Sequence, residues 1–152
     1  MRVIFLDWDG VILLISTNGP YDPELKANTE AIGNLNLLVQ LTEAEVVVTS
    51  NWRNGRSVEQ LEALLKSWGY KWRVLGKTQD SDGSRGVDED RGELVESWLA
   101  TNDPVDAFVV IDDDRTTLEH LAANLVSPSP DKGLQMHDVA EAMHVLLSAA
   151  KV

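Results

Sequence analysis

Two aspartates follow a short apolar run near the start of the chain, at a spacing that supports chemistry. Asp7 and Asp9 come directly after residues 3–6, and Gly10 follows them. A buried strand that ends in carboxylates is a common way to hold a divalent cation beside a reactive oxygen. The stretch therefore predicts a metal-assisted site at the carboxyl end of the first strand.

Two later apolar runs also end in polar side chains. One run, rich in valine, ends in Thr49 and Ser50, and the other ends in Asp112, Asp113 and Asp114. The carboxyl ends of parallel strands meet at one edge of a sheet, which is where α/β proteins bind their ligands. We therefore expect hydroxyls and carboxylates from three strands to lie together there.

Strand-like and helix-like segments alternate along the chain. Apolar runs predict strands at residues 3–6, 45–50, 72–75, 107–111 and 125–126. Apolar periodicity predicts one helix that begins near residue 22 or 28 and ends near 41, and others at residues 57–68, 90–99, 116–124 and 138–150. Residues 16–20 are predicted to form a turn and residues 76–90 a mobile polar loop. The alternation predicts one α/β domain over residues 1–152, with a mainly parallel sheet and right-handed crossovers.

Composition excludes several classes of protein. The chain has 152 residues, of which 25 are acidic and 13 basic, and its net charge of −12 argues against a surface that tracks nucleic-acid backbone. It has no cysteine, which excludes disulfides, zinc–thiolate sites and cysteine nucleophiles. No apolar run is long enough to cross a membrane and no signal pattern precedes the first strand, so we expect a cytoplasmic protein.

Four ordered motifs resemble those of the haloacid dehalogenase (HAD) superfamily of phosphotransferases. The run DWDGV at residues 7–11 resembles its first motif, DxDG[TV], and residues 47–50 resemble the second, a strand ending in Thr or Ser. Residues 91–94 are similar to the third, a cation at a helix start, and residues 110–113 to the fourth, an acidic pair after a strand. The resemblance implies a three-layer Rossmann-like HAD fold, with helices on both faces of the sheet. The chain is too short for a separate cap domain.

The resemblance also implies a role for each motif. Asp7 is the implied nucleophile, which forms an aspartyl-phosphate, and Asp9 the implied general acid and base. Thr49 or Ser50 is expected to donate a hydrogen bond to the phosphoryl oxygens, and adjacency in sequence leaves the choice open. Arg91 is expected to neutralise phosphoryl charge. Lys77 is its rival, because it follows a possible strand.

A magnesium ion is the implied cofactor. Its expected ligands are the Asp7 carboxylate, the backbone carbonyl of Asp9 and a carboxylate of the fourth motif. The end of the strand favours Asp112 and Asp113 over Asp114.

Residues around the second motif narrow the resemblance to the small capless HAD domains of RNA-repair proteins and the phosphatase domain of polynucleotide kinase/phosphatase. By this likeness Arg53 and Asn51 are expected to bind substrate, and Trp8 and Trp52 flank the site where a base would stack. The predicted function is Mg²⁺-dependent phosphomonoester hydrolysis, with a nucleic-acid 3′-phosphate as the leading substrate. The alternatives are a (deoxy)nucleotidase or other small-molecule phosphatase, and a non-catalytic HAD-like regulatory domain. No obligate protein partner is expected.

Overall fold

One parallel sheet of five strands organises the fold. The structure is a computed structural model that describes residues 1–15, 27–81 and 89–148. The strands are β1 (Arg2–Leu6), β2 (Glu45–Val48), β3 (Val74–Lys77), β4 (Ala107–Ile111) and β5 (Leu125–Val126). They lie in the order β3-β2-β1-β4-β5 and every neighbouring pair is parallel, which confirms the predicted α/β class.

Helices cover both faces of this sheet. The α-helices of the described residues are α1 (Thr29–Thr42), α2 (Val58–Ser67), α3 (Arg91–Thr101) and α4 (Met136–Ser148). Side chains of α1, α2 and α4 pack on one face of the sheet, in a core that includes Ile4 and Leu6. Side chains of α3 pack on the other face, around Val3 and Phe5. These three layers confirm the predicted Rossmann-like HAD architecture, and the described residues form no separate cap domain.

Side-chain caps set where three of the helices begin. The Asn28 side chain accepts a hydrogen bond from the Ala31 amide at the start of α1. Ser57 and Gln60 form the predicted reciprocal capping box before α2. The Asp90 carboxylate accepts from the Glu93 amide and fixes the start of α3. The third cap matters for function, because it places Arg91 in the first turn of α3.

Two predicted elements differ from the structure, and three others lie wholly or partly outside the described residues. The helix predicted over residues 116–124 is a 3-10 helix at Glu119–Asn124, and its start at Leu118 has no side-chain cap. The third strand begins two residues later than predicted and ends at Lys77, so the polar loop begins after that residue. The predicted turn at 16–20, residues 82–88 of the predicted loop and the end of the last predicted helix, beyond residue 148, lie outside the described residues.

The helices were compared with the length and hydropathy of a membrane-spanning helix. No helix among residues 1–15, 27–81 and 89–148 is both long enough and apolar enough to cross a bilayer.

Candidate active site

Strand register places the polar residues of the first, second and fourth motifs side by side. Leu6 pairs with Val48 on one side and Ile111 on the other, so the next residues, Asp7, Thr49 and Asp112, are neighbours at the sheet edge. The ladder continues through them, since the Asp7 amide donates to Ile111 O at 3.0 Å and the Thr49 amide to Leu6 O at 3.0 Å. The sheet thus brings together the chemistry that the sequence distributes over 105 positions between Asp7 and Asp112.

Three carboxylates meet at this edge. One oxygen each of Asp7, Asp112 and Asp113 lie within 4.8 Å of one another, and this is the group of possible metal ligands found in the described part of the chain. Hard divalent cations such as Mg²⁺ prefer oxygen ligands of this type. The residues present therefore fit the cofactor that the resemblance implies.

Burial and mutual repulsion raise the pKa values of two of these groups. Burial raises the pKa of Asp7 well above its usual range, the Asp112 carboxylate raises it further, and Arg91 acts in the opposite direction. Burial also raises the pKa of Asp113, and the charge of Asp112 adds to the effect. A bound cation would offset this repulsion and favour the ionised carboxylates.

Glycine at position 10 is required by the approach of Asp113. The backbone of Gly10 has φ +80°, which L side chains rarely adopt, and a Cβ there would overlap the Asp113 carboxylate. The glycine of the first motif therefore leaves room for a carboxylate of the fourth.

Asp114 does not belong to the cluster. Its exposed carboxylate accepts hydrogen bonds from the Thr116 amide and hydroxyl, which lower its pKa. Of the three consecutive aspartates, the structure brings only Asp112 and Asp113 to Asp7.

Arg91 supplies the positive charge beside the carboxylates. Its Nη1 lies 2.9 Å from Asp7 Oδ1 and 2.8 Å from Asp112 Oδ2. Burial alone would lower the pKa of Arg91, but the two carboxylates outweigh burial and raise it. Gly92 lets the start of α3, which carries Arg91, pack closely against its neighbours, because a Cβ at Gly92 would overlap Thr117 O and the His120 ring.

Lys77, the rival cation, lies in a different environment. Its Nζ donates to the backbone oxygens of Arg53 and Arg56 and to Asp80 Oδ1. These bonds fix the turn after β2, so the structure favours Arg91 as the cation of the third motif.

The two hydroxyls after β2 have different surroundings. Ser50 Oγ accepts a hydrogen bond from the Trp52 amide at 3.3 Å and caps a 3-10 turn at Asn51–Arg53. Thr49 Oγ1 is buried and has no hydrogen-bond partner among the described residues. A buried hydroxyl without a partner is costly unless a ligand satisfies it, so the structure favours Thr49 as the phosphate donor.

Replacing Thr49 tests this assignment. We expect Thr49→Val to lower kcat/KM for a phosphate ester by about 10²-fold, because the variant keeps the shape but loses the donor. Its free energy of unfolding should be unchanged or higher, since an unpaired buried hydroxyl is removed. Steady-state kinetics and urea unfolding measure both quantities. Thr49→Ser is the matched control and should retain most activity, and a larger loss in Ser50→Ala than in Thr49→Val would contradict the assignment.

Asp9 lies apart from the carboxylate cluster. Its Oδ1 accepts a hydrogen bond from Trp52 Nε1 at 3.3 Å, and the residue is partly exposed. The Asp9 side chain therefore does not belong to the group of possible metal ligands, as the predicted acid–base role requires. Asp9 could contribute its backbone carbonyl to the metal, as predicted. Asn51 is exposed at the same edge.

Trp8 requires a correction. Its side chain is fully buried, and its ring packs against Trp52 and Trp68 with centroids 5.7 Å and 5.4 Å away. A ring enclosed on these sides offers no face to substrate, so the structure contradicts the predicted stacking role and places Trp8 in the core.

Arg53 also requires a correction. It is fully buried, and its guanidinium donates to the backbone oxygens of Thr49, Ser50 and Gln79. Nη2 also pairs with Glu89. Because its donors bind these groups, Arg53 stabilises the chain that follows β2. It does not bind substrate phosphate, contrary to the prediction.

Glu89 connects these inner contacts to the catalytic edge. Its Oε1 accepts from Arg53 and from Ser81 Oγ, the latter at 2.6 Å, and its Oε2 lies 3.7 Å from Arg91 Nε. Glu89 thus joins the turn after β2 to the start of α3.

Two polar residues of this region were not predicted from the sequence. Glu89 gave no signal, because it lies in a polar loop with many other acids. Thr78 follows β3 in register with Thr49, and its buried Oγ1 has no partner among the described residues. A hydroxyl directly after a strand was the available signal, but it was hidden because the predicted strand ended at residue 75.

The fold and site define a HAD-type domain, with an acidic first motif and an acidic fourth motif on neighbouring strands. Residues 3–139 match a family described as the HAD domain in Swiss Army Knife RNA repair proteins, and the chain belongs to that family. Membership confirms the resemblance drawn from the motifs and supports a HAD-type phosphatase at the level of class. A comparison with curated proteins gave no match.

Proposed function

We propose that this protein is a Mg²⁺-dependent phosphomonoesterase in which Asp7 is the nucleophile. In the first step an Asp7 carboxylate oxygen attacks phosphorus, and the bond from phosphorus to the ester oxygen breaks. The leaving oxygen takes a proton from the Asp9 carboxyl. The products of this step are an alcohol and an aspartyl-phosphate.

In the second step water hydrolyses that intermediate. The oxygen of the water attacks phosphorus, and Asp9, now a carboxylate, accepts a proton from that water. The bond between phosphorus and Asp7 breaks, which releases phosphate and restores the carboxylate. Because Asp9 lies outside the metal cluster, its side chain is available for both proton transfers.

Asp7, Asp112 and Asp113, with the backbone carbonyl of Asp9, would hold the magnesium ion. When bound, the ion supplies positive charge that favours ionised carboxylates and offsets phosphoryl charge. Arg91 supplies a second positive charge from the helix side, and Thr49 donates a hydrogen bond to the phosphoryl group.

A buried hydroxyl beside the proposed nucleophile carries this proposal. Thr49 Oγ1 has no hydrogen-bond partner among the described residues, and Thr49 is the neighbour of Asp7 at the carboxyl edge of the sheet. Folded proteins satisfy most such atoms. A phosphoryl oxygen held beside Asp7 would accept a hydrogen bond from this hydroxyl.

For the substrate we propose a phosphate at the end of a nucleic acid, with the 3′-phosphate first. The description of the family names RNA repair, and the described residues form no cap domain that would exclude a polymer end. The net charge of −12 disfavours an extended backbone interface, so recognition would be confined to the terminal nucleotide. Asn51, exposed beside the site, is the proposed polar contact to that nucleotide.

Hydrolysis of p-nitrophenyl phosphate tests the reaction. We expect turnover with Mg²⁺, loss of turnover to background in EDTA and recovery when Mg²⁺ is added in excess, because the carboxylate cluster cannot function without its cation. Phosphate release measured by colorimetry checks the result.

A panel of substrates then tests the substrate class. A 3′-phosphorylated oligonucleotide should give a higher kcat/KM than free nucleotides or sugar phosphates. Preference for free nucleotides would indicate a nucleotidase. Binding of Mg²⁺ without turnover of any ester would contradict the phosphatase proposal and favour a regulatory HAD-like domain.

A further inference from the structure

Trp52 links the acid–base residue to a groove outside the catalytic cluster. Its indole Nε1 donates to Asp9 Oδ1 at 3.3 Å, and its ring lines a groove of about 750 Å³. The Trp52 indole therefore lies between Asp9, where the leaving group would be, and this groove. Neither the motifs nor the family description gives the groove a role.

Aromatic and guanidinium groups are close together around Trp52. The buried Trp8 ring lies 5.7 Å from the Trp52 ring, at an interplanar angle of 37°. Arg56 Cζ lies 5.2 Å from the Trp52 centroid, and Arg56 Nη1 donates to Trp52 O at 2.9 Å. The exposed guanidinium of Arg56 thus lies near the Trp52 ring, which packs against the core through Trp8.

The turn that carries Arg56 is held in place by its neighbours. Lys77 Nζ donates to Arg56 O at 2.7 Å, and the Gly55 amide donates to Asp80 Oδ2 at 3.1 Å. Asn54 and Ser81 exchange two hydrogen bonds, one through the Ser81 amide and one through its hydroxyl. The arrangement of Arg56 and Trp52 is therefore preorganised, and a ligand that uses it does not have to order the turn first.

The walls of the groove offer apolar surface and polar groups together. Its lining includes Trp52, Asn54, Arg56, Gln60, Leu64 and Ser67. Nucleobases suit such a surface, since they stack on aromatic rings and on guanidinium planes and present hydrogen-bonding edges. The volume lies within the range of ordinary small-molecule sites.

We propose that this groove binds the base of the nucleotide that carries the scissile phosphate, with the base stacked on Arg56 and Trp52. The inference rests on the proposed function, because it places the leaving group of the ester beside Asp9. It goes further in making the terminal base, and not only the phosphate, a determinant of the substrate. Arg56 and Trp52 would then select substrates by the terminal base of the leaving group.

Two oligonucleotides that differ only in the terminal base test the proposal. Both have the same sequence and a 3′-phosphate, but one ends in an adenosine and the other in an abasic sugar. With Mg²⁺ we expect kcat/KM for the base-bearing substrate to exceed that for the abasic one by about tenfold or more. Arg56→Ala should reduce this ratio to about threefold or less, and Arg56→Lys should reduce it as well, because a lysine keeps the charge but not the plane.

Arg73→Ala is the matched control. Arg73 is an exposed arginine that pairs with Glu45 at the start of the strands, at the opposite edge of the sheet. Its removal changes net charge by the same amount, and the ratio should stay at the wild-type value. A similar fall in this variant would mean that charge alone is responsible and would overturn the proposal.

A binding measurement separates this inference from the proposed function. The same two oligonucleotides, labelled at their 5′ ends, are titrated by fluorescence anisotropy. If no ester is turned over but the base-bearing strand binds about tenfold tighter and loses this advantage in Arg56→Ala, the groove is supported and the phosphatase proposal fails. If both strands are turned over equally and bind equally, or if a phosphopeptide is the better substrate, the groove proposal is wrong while the phosphatase stands.

Discussion

Asp7→Asn is expected to lower kcat for phosphate ester hydrolysis by about 10⁴-fold or more, to the background of the assay. The amide is a poor nucleophile and cannot form the aspartyl-phosphate, while the other groups at the sheet edge remain. Arg91 keeps its contact with Asp112 at 2.8 Å, so the cation stays in place. Phosphate release under single-turnover conditions measures the loss.

The fold of this variant should be preserved. Asn has nearly the volume of Asp, and burial already disfavours the charged form of Asp7, whose pKa is raised. Far-UV circular dichroism and thermal unfolding check this point. Asp114→Asn is the control, because Asp114 is exposed and bonded to Thr116 outside the cluster, and its activity should stay within about threefold of wild type. Turnover by Asp7→Asn near the wild-type rate would show that another group is the nucleophile.

Arg53→Met is expected to have the largest effect on stability, a loss of about 3–5 kcal/mol in the free energy of unfolding. The variant fills much of the space but leaves the oxygens of Thr49, Ser50 and Gln79 without their donor, together with the Glu89 carboxylate. Since a domain is stable by only about 5–15 kcal/mol, this is a large share of the total. Urea unfolding followed by tryptophan fluorescence provides the measurement.

Arg73→Met serves as the comparison for this loss. Arg73 also pairs with a glutamate, but its side chain is 66% exposed, so the urea midpoint of this variant should stay close to that of the wild type. One outcome would support the role in substrate binding that the sequence predicts for Arg53. If Arg53→Met unfolds at the same urea concentration as wild type but binds substrate more weakly, Arg53 contacts the phosphate and its burial is not maintained in solution.

The polar edge of the sheet could be predicted because it depends on strand ends. Apolar runs indicated β1, β2 and β4, and the carboxyl ends of parallel strands meet at one edge, so their polar residues were expected to lie together. The structure adds the strand order and register that make Asp7, Thr49 and Asp112 direct neighbours. The choice between Thr49 and Ser50 could not be made, because it depends on which face of the pleat each hydroxyl takes and on the turn that Ser50 caps.

Buried polar residues limited the prediction elsewhere. Arg53 was assigned to substrate because it closely follows the second motif, as in the phosphatase domain that the chain resembles. An arginine is rarely buried, and only the three-dimensional structure provides the carbonyl oxygens that enclose this one. The helix predicted over residues 116–124 failed for a related reason. The Thr116 hydroxyl bonds to Asp114 and that of Thr117 accepts from the Arg91 amide, so neither is left to cap a helix.

The contact between Ser81 and Glu89 has a consequence for how this domain can vary. Ser81 comes shortly after β3 and Glu89 directly before the cap of α3, and a 2.6 Å hydrogen bond joins their side chains. The Glu89 carboxylate also pairs with Arg53, and its Oε2 lies 3.7 Å from Arg91 Nε. Arg91 in turn contacts Asp7 and Asp112. A substitution of Ser81, which lies outside the carboxylate cluster, would therefore act on the arginine beside Asp7 through a single carboxylate.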